Sequence, residues 1–90
     1  MTSPRYELSW EPEALERLAA LAKTYPEAAE GVIPAVYALA RDPRPDGSVQ
    51  LGGSGTYRRL QLGYFRIVYA VSDDPPGVRI VLVGRDDQTR

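Results

Sequence analysis

Two runs of alternating apolar and polar residues meet at Gly63-Tyr64, within the segment 57–71 that reads YRRLQLGYFRIVYAV. A Gly that opens a two-residue loop between such runs is typical of a tight antiparallel hairpin, because Gly readily adopts a positive φ. The strand period of two then assigns every residue to one of two faces. Three opposed pairs face the core in this register: Leu62 with Phe65, Leu60 with Ile67, and Arg58 with Tyr69.

The opposite face of the predicted hairpin is polar and basic. It gathers Arg59, Gln61 and Arg66, with Tyr64 in the turn. A slip of one residue would exchange the faces of one strand, so this assignment depends on the turn at Gly63.

Helical spacing of apolar residues predicts two helices before the hairpin. The first begins at Glu11-Pro12-Glu13 and ends at Thr24-Tyr25-Pro26, because the residue before Pro avoids the α region. The second begins at Pro26-Glu27, and we expect a kink or a break into two pieces at Pro34. The short connection between them indicates an antiparallel helical hairpin that covers the apolar side of the sheet.

The remaining segments complete the predicted fold. Residues 5–9 alternate as a first strand, residues 41–55 are a Pro- and Gly-rich loop, and residues 78–83 form a last strand. In that strand, Val78, Ile80 and Leu82 are expected to face the core. The other face would then carry Arg79, Val81, Val83 and Arg85. We therefore expect a single α+β domain over residues 1–90, with an antiparallel sheet of about four strands packed on the helical hairpin.

Composition restricts the chemistry that this chain can carry. The 90 residues include no His and no Cys, so the commonest general base, the commonest metal ligand and a thiol nucleophile are all missing. The pairs Asp73-Asp74 and Asp86-Asp87 have no third ligand at a useful spacing, so we expect no metal site and no cofactor. Any catalysis must use carboxylates, Arg, Lys23, Tyr or hydroxyl groups.

Charge is almost balanced overall but uneven along the chain. The net charge of −1 argues against indiscriminate binding to nucleic acid, whereas the segment from Gly47 to Ser72 has three Arg and no acidic residue. A local basic face of this kind can bind phosphate even on a neutral protein. No apolar run is long enough to span a bilayer and no signal-peptide pattern is present, so we expect a cytoplasmic protein with no membrane partner.

The element order and several short motifs together resemble the RelE/ParE superfamily of bacterial toxins. The motifs are Trp10-Glu11-Pro12-Glu13-Ala14, residues 39–45 (LARDPRP), Leu51-Gly52-Gly53, Tyr57-Arg58-Arg59, residues 63–69 (GYFRIVY) and Val83-Gly84-Arg85. The resemblance spans nearly the whole chain. The motifs together are specific for this superfamily, although no single motif is. It implies a compact RelE-like α+β toxin of a type II toxin–antitoxin system, neutralised by an antitoxin encoded beside it.

In RelE-like members the toxin enters the ribosomal A site and cuts mRNA without a metal, using basic residues on the sheet and often a Tyr near the C-terminus. By this resemblance Arg66, Arg59 and Arg85 are catalytic, with Arg66 holding the scissile phosphate. Gln61, Tyr64 and Arg79 are then the residues expected to contact RNA. The basic position after the last strand falls on Arg85 or Asp86, Gln61 replaces an often basic residue, and the C-terminal Tyr has no counterpart.

Each candidate residue also has a purely structural interpretation, and two functions stay open. A strand Arg such as Arg66 often forms a salt bridge on a solvated face, and Tyr64 could simply cover the sheet edge. The first function is a ribosome-dependent mRNA endoribonuclease, with the ribosome, mRNA and an antitoxin as partners. The second is a ParE-like toxin that acts by binding a protein such as gyrase. In either case we expect the antitoxin to shield the face that carries Arg66.

Overall fold

The computed structural model describes residues 5–86. Its elements are β1 (Glu7–Trp10), α1 (Pro12–Thr24), α2 (Pro26–Leu39), β2 (Ser48–Leu51), β3 (Tyr57–Leu62), β4 (Phe65–Asp73) and β5 (Pro76–Arg85). The strands form one sheet in the order β1-β5-β4-β3-β2, and the helical hairpin packs on one of its faces. The predicted α+β class with an N-terminal helical hairpin is confirmed.

Both helices begin with Pro at the first helical position, where the missing N–H is not needed. Of the two outcomes expected at Pro34, a kink or a break into two pieces, the break does not occur, since one helix runs through that residue. Val32 and Val36, on either side of Pro34, are both buried. Burial of both halves against the same core holds the helix together, and the exposed Pro34 lies away from that contact.

The central hairpin has the predicted register. Leu62 pairs with Phe65, Leu60 with Ile67 and Gln61 with Arg66. Gly63 has a φ of 61°, a conformation that only Gly adopts without strain. Leu60, Phe65, Ile67 and Tyr69 are buried against the helices, as the alternation required.

The sheet has five strands rather than about four, and it is mixed rather than antiparallel. The additional strand β2 lies inside the segment 41–55 that was predicted to be loop, and it pairs with β3 at the sheet edge. β1 pairs with β5 in parallel, with Leu8 opposite Val78 and Trp10 opposite Ile80. Because β5 is therefore internal, the two exposed edges of the sheet belong to β1 and β2.

A bulge in β5 exchanges the faces of its second half. Tyr69 pairs with Ile80 but Val68 pairs with Leu82, so Val81 is an extra residue with no partner on β4. Val83 is consequently fully buried opposite Ile67, and Leu82 lies on the other face. The predicted faces of Leu82, Val83 and Arg85 are wrong, because the alternation was extended through a position where it is interrupted.

Tyr69 fixes the Pro-rich loop to the core. Its ring is fully buried, and its hydroxyl donates a hydrogen bond of 2.8 Å to the carbonyl oxygen of Pro43. Nearby, Arg58 donates through Nε to the hydroxyl of Ser48 at 2.9 Å, and that hydroxyl donates to the carbonyl of Pro45 at 2.7 Å. Arg58 faces the helix side as predicted, and there it holds the loop that leads into β2.

Candidate functional site

The sheet face without helices, called the open face below, brings most of the candidate residues together. The strand pairings place eight residues side by side on the open face. Three are basic, one carries an amide and four are small or aliphatic: Arg59, Arg66, Arg79, Gln61, Val68, Ala70, Leu82 and Gly84. Val49 of β2 adds an aliphatic side chain that is 51% exposed. Basic residues are thus interspersed with apolar ones, a composition typical of surfaces that bind other macromolecules.

Arg66 lies at the centre of one end of the open face. It pairs with Gln61 on β3 and with Gly84 on β5. Its guanidinium lies over Gly84, because a methyl group added to Gly84 would be 3.7 Å from Nη2 of Arg66. Nη1 is 3.9 Å from Oδ1 of Asp86. That distance is long for an ion pair, and the side chains of Arg66 and Asp86 are 34% and 40% exposed, so Asp86 partly neutralises Arg66 without binding it firmly.

Arg59 and Gln61 lie next to Arg66 on β3. Arg59 is exposed between Val49 and Val68, and it forms no ion pair with any residue from 5 to 86. The side-chain amide of Gln61 donates to the carbonyl of Gly63 at 2.9 Å, which ties it to the hairpin turn. Among the three Arg of the open face, Arg59 is therefore the one that forms no ion pair with a described carboxylate.

Arg79 is on the open face, as predicted, but it lies far from Arg66 and is tied to the start of α1. It pairs with Ala70, four residues along β4 from Arg66, which corresponds to about 13 Å along the strand. Its guanidinium donates to Oε2 of Glu11, and this bond raises the pKa of Arg79 above its usual value. This contact stabilises the turn between β1 and α1.

Arg85 is on the helix side of the sheet, contrary to its predicted place beside Arg59 and Arg66. It pairs with the buried Phe65, because the bulge at Val81 has exchanged the faces. Its guanidinium carbon is 4.5 Å from the ring centroid of Tyr25 and 5.2 Å from that of Tyr64. Both distances are within the range of cation–π attraction. Sequence reasoning missed Tyr25, which gave no signal beyond its place at the end of α1.

The tyrosine of the hairpin turn, Tyr64, remains largely exposed at 67%. Its carbonyl accepts a hydrogen bond from the amide of Asp86, so the turn and the end of β5 are joined. The outer part of the ring can still stack on a ligand.

A second polar cluster lies at the opposite end of the sheet. Asp73 accepts a hydrogen bond of 2.6 Å from the hydroxyl of Tyr6 and a bidentate pair of 2.9 and 3.2 Å from Arg44. The hydrogen bonds from Arg44 and Tyr6 hold the pKa of Asp73 below its usual value, and the bond to Asp73 raises that of Tyr6. The cluster joins the Pro-rich loop to the β4–β5 turn, which is a structural role.

Residues 5–86 contain neither a cluster of metal ligands nor a membrane-spanning helix. No group of three or more acidic side chains comes together there as a set of metal ligands, and the partner of Asp86 in the predicted Asp86-Asp87 pair lies outside the described residues. Neither helix in this part of the chain is long and apolar enough to cross a membrane.

Comparison with known proteins gives one family and one fold. Residues 8–90 match the model of a family described as ParE toxin of type II toxin–antitoxin system, parDE. Comparison with curated proteins by sequence gives no significant match.

Solved structures of toxins have the same fold. The archaeal RelE of the RelE–RelB complex from Pyrococcus horikoshii OT3 is 19% identical with a TM-score of 0.78, covering 94% of this chain and 99% of that one. The isolated RelE toxin of E. coli is 22% identical with a TM-score of 0.74, covering 94% and 88%. A YoeB/ParE toxin from Agrobacterium tumefaciens is 18% identical with a TM-score of 0.74, covering 88% and 96%.

Proposed function

The chain belongs to the ParE toxins of type II toxin–antitoxin systems, in the RelE/ParE superfamily, and we propose that it stops growth by binding a protein target, such as DNA gyrase, through its open face. The observation that carries this proposal is the composition of that face. Val49 and Val68 flank Arg59 across the strands, Leu82 lies beside Val68, and Arg66 is two residues along β4 from Val68, so apolar contact and cation pairing are available together. Interfaces between proteins use this mixture, with Arg enriched among the residues that dominate affinity.

The arrangement of charge supports binding over cleavage of RNA. Attack by a ribose 2′-OH on the adjacent phosphate needs a group that accepts the proton and cations that surround the phosphate. The chain has no His, and the carboxylate of Asp86 lies beside Arg66, where it would repel a phosphate. Arg85 is on the opposite side of the sheet, so the three Arg expected to act together are divided between two faces.

A ribosome-dependent mRNA endoribonuclease is the second candidate, and a specific observation favours it. Arg59 and Arg66 share the open face with Gln61 between them, and the exposed ring of Tyr64 is at the same end. A phosphate bound by both guanidinium groups would bring its base within reach of that ring. If the toxin is an endoribonuclease, Arg66 and Arg59 bind the scissile phosphate, and Arg85 acts through its contact with Tyr64. Two further residues contact the RNA: Gln61 near the turn and Arg79 farther along the sheet.

An antitoxin is the partner that both candidates require. The similar structure from Pyrococcus horikoshii is that of a RelE–RelB complex. We propose that a protein encoded beside this toxin's gene binds and neutralises it in the same general way.

Induced expression with two parallel measurements tests the target. We expect growth arrest, inhibition of DNA supercoiling by purified gyrase with the purified toxin, and no new 5′ ends in translated mRNA. Arg66→Ala should abolish arrest, whereas Arg17→Ala, an exposed Arg on α1, should not. Codon-specific mRNA ends that disappear in Arg66→Ala, with gyrase unaffected, would instead establish the endoribonuclease.

A further inference from the structure

A hollow lies on the open face, at the end of the sheet away from Arg66. It has a volume of about 510 Å³, and Pro75 and Pro76 line one side of it where the chain passes from β4 to β5. The residues of three neighbouring strands that face it are small, which keeps its floor low. They are Ser9, Ala70, Ser72 and Gly77. The hollow can therefore take a long side chain from a bound protein, with an apolar wall beside it.

Glu7 gives the hollow a negative charge. Glu7 is exposed, it lines the hollow beside Gly77, and it forms no ion pair with any residue of the described chain. Arg79 also lines the hollow, but its charge is balanced by its bond to Glu11. The carboxylate of Glu7 is therefore the charge left unbalanced at this end of the open face.

The open face thus has opposite charges at its two ends. At one end Arg59 and Arg66 outnumber the carboxylate of Asp86, and at the other end Glu7 is unbalanced. The strand pairings place Glu7 level with Ser72, six residues along β4 from Arg66, so the two ends are about 20 Å apart. A polyanion laid along the face would be attracted at one end and repelled at the other. A protein surface, in contrast, can present an acidic group to the first end and a basic group to the second.

From these three observations we infer that the hollow receives a basic side chain, lysine or arginine, of the protein target, while the arginines at the other end bind an acidic group of the same target. The positive group pairs with Glu7, and the methylene stem lies along Pro75 and Pro76. The inference rests on the proposed function, in which a protein binds the open face. It goes further by naming a second contact on that face and the charge that this contact selects.

The test measures the affinity of the full-length toxin for purified gyrase in the absence of DNA. Glu7→Gln keeps the size of the side chain and removes its charge, so it should weaken binding by at least about threefold. Glu7→Arg places a cation opposite the basic group of the target and should weaken binding by at least about tenfold. Glu13→Gln is the matched control, because it removes the same charge from an exposed residue of α1 that does not line the hollow. Its affinity should equal that of wild type.

The outcomes separate the inference from the proposed function. Circular dichroism and thermal unfolding establish that each variant is folded before its affinity is compared. If wild type binds gyrase and the Glu7 variants bind it equally well or more tightly, the target presents no basic group to the hollow, so the inference is wrong and the proposed function stands. A loss of affinity in Glu13→Gln equal to that in Glu7→Gln would also overturn the inference, since the effect would then come from net charge alone. If wild type does not bind gyrase, the proposed function fails and the inference fails with it.

Discussion

Replacing Tyr69 by Phe removes one hydroxyl from the interior and leaves the ring in place. That hydroxyl donates to the carbonyl of Pro43 at 2.8 Å, and both residues are buried. The variant therefore leaves a buried carbonyl without its donor while the volume of the core is almost unchanged. Burial also raises the pKa of the Tyr69 hydroxyl, so it stays protonated and able to donate across the physiological range.

The cost follows from the loss of that single bond. A buried acceptor left unsatisfied costs about 1–3 kcal/mol in the free energy of unfolding. For a domain of this size each kcal/mol lowers Tm by roughly 4–8 °C, so Tm should fall by at least about 4 °C. The loss should be felt most in the Pro-rich loop, because Tyr69 is the residue that holds Pro43 against the sheet.

Urea unfolding gives the measurement, with Trp10 as a natural probe because it is the single Trp of the chain. Tyr37→Phe is the matched control: its ring is 67% exposed, so its unfolding free energy should change by less than about 0.5 kcal/mol. Equal midpoints for Tyr69→Phe and wild type would refute the reasoning, since they would mean that water or loop rearrangement replaces the bond without cost.

Three further predictions concern charge and strand register. Arg66→Ala should abolish growth arrest yet lower the unfolding free energy by less than about 1 kcal/mol, since its ion pair is long and exposed; an unfolded variant by circular dichroism would make Arg66 structural. Asp73 has a lowered pKa, so its contribution to stability is present above about pH 4 and is lost as pH falls through the folded-state pKa. Asp73→Asn should therefore show a smaller decrease in Tm between about pH 4 and pH 2 than wild type, and an identical decrease would contradict the ion pair. Deleting Val81 should leave the urea midpoint close to that of wild type, because Leu82 can stay opposite Val68 and Val83 opposite Ile67 once the unpaired residue is gone; a decrease of about 2 kcal/mol or more in the unfolding free energy would mean that the bulge itself is required.

The parts of the fold that sequence predicted are those fixed by local rules. Gly63 and the alternation around it determined the hairpin register, and Pro12 and Pro26 marked the helix starts. β2 was missed because its four residues become a strand only through pairing with β3, and its composition resembles that of the surrounding loop. A break at Pro34, one of the two outcomes expected there, is absent for the same kind of reason, since tertiary burial outweighed a local preference.

In the candidate site, too, the residues placed by local rules could be predicted and those placed by tertiary contacts could not. Arg59, Gln61 and Arg66 could be placed on one face because they belong to the hairpin, whose register the turn determines. Arg85 could not, because nothing in the residues around Val81 distinguishes an interrupted strand from a regular one. The proximity of Asp86 to Arg66 was equally inaccessible, since it depends on how β5 ends beside β4.

The extra residue at Val81 has a consequence for how toxins of this shape diverge. Before it, even-numbered positions of β5 face the helices; after it, odd-numbered positions do. Gain or loss of one residue at this point therefore leaves the cross-strand pairs and the faces of the residues after it unchanged, while it shifts their count along the sequence by one. An arginine at the same count in two related chains can then lie on opposite surfaces. Equivalence between such residues is better judged from the partner across the strand, Phe65 in the case of Arg85, than from position along the sequence.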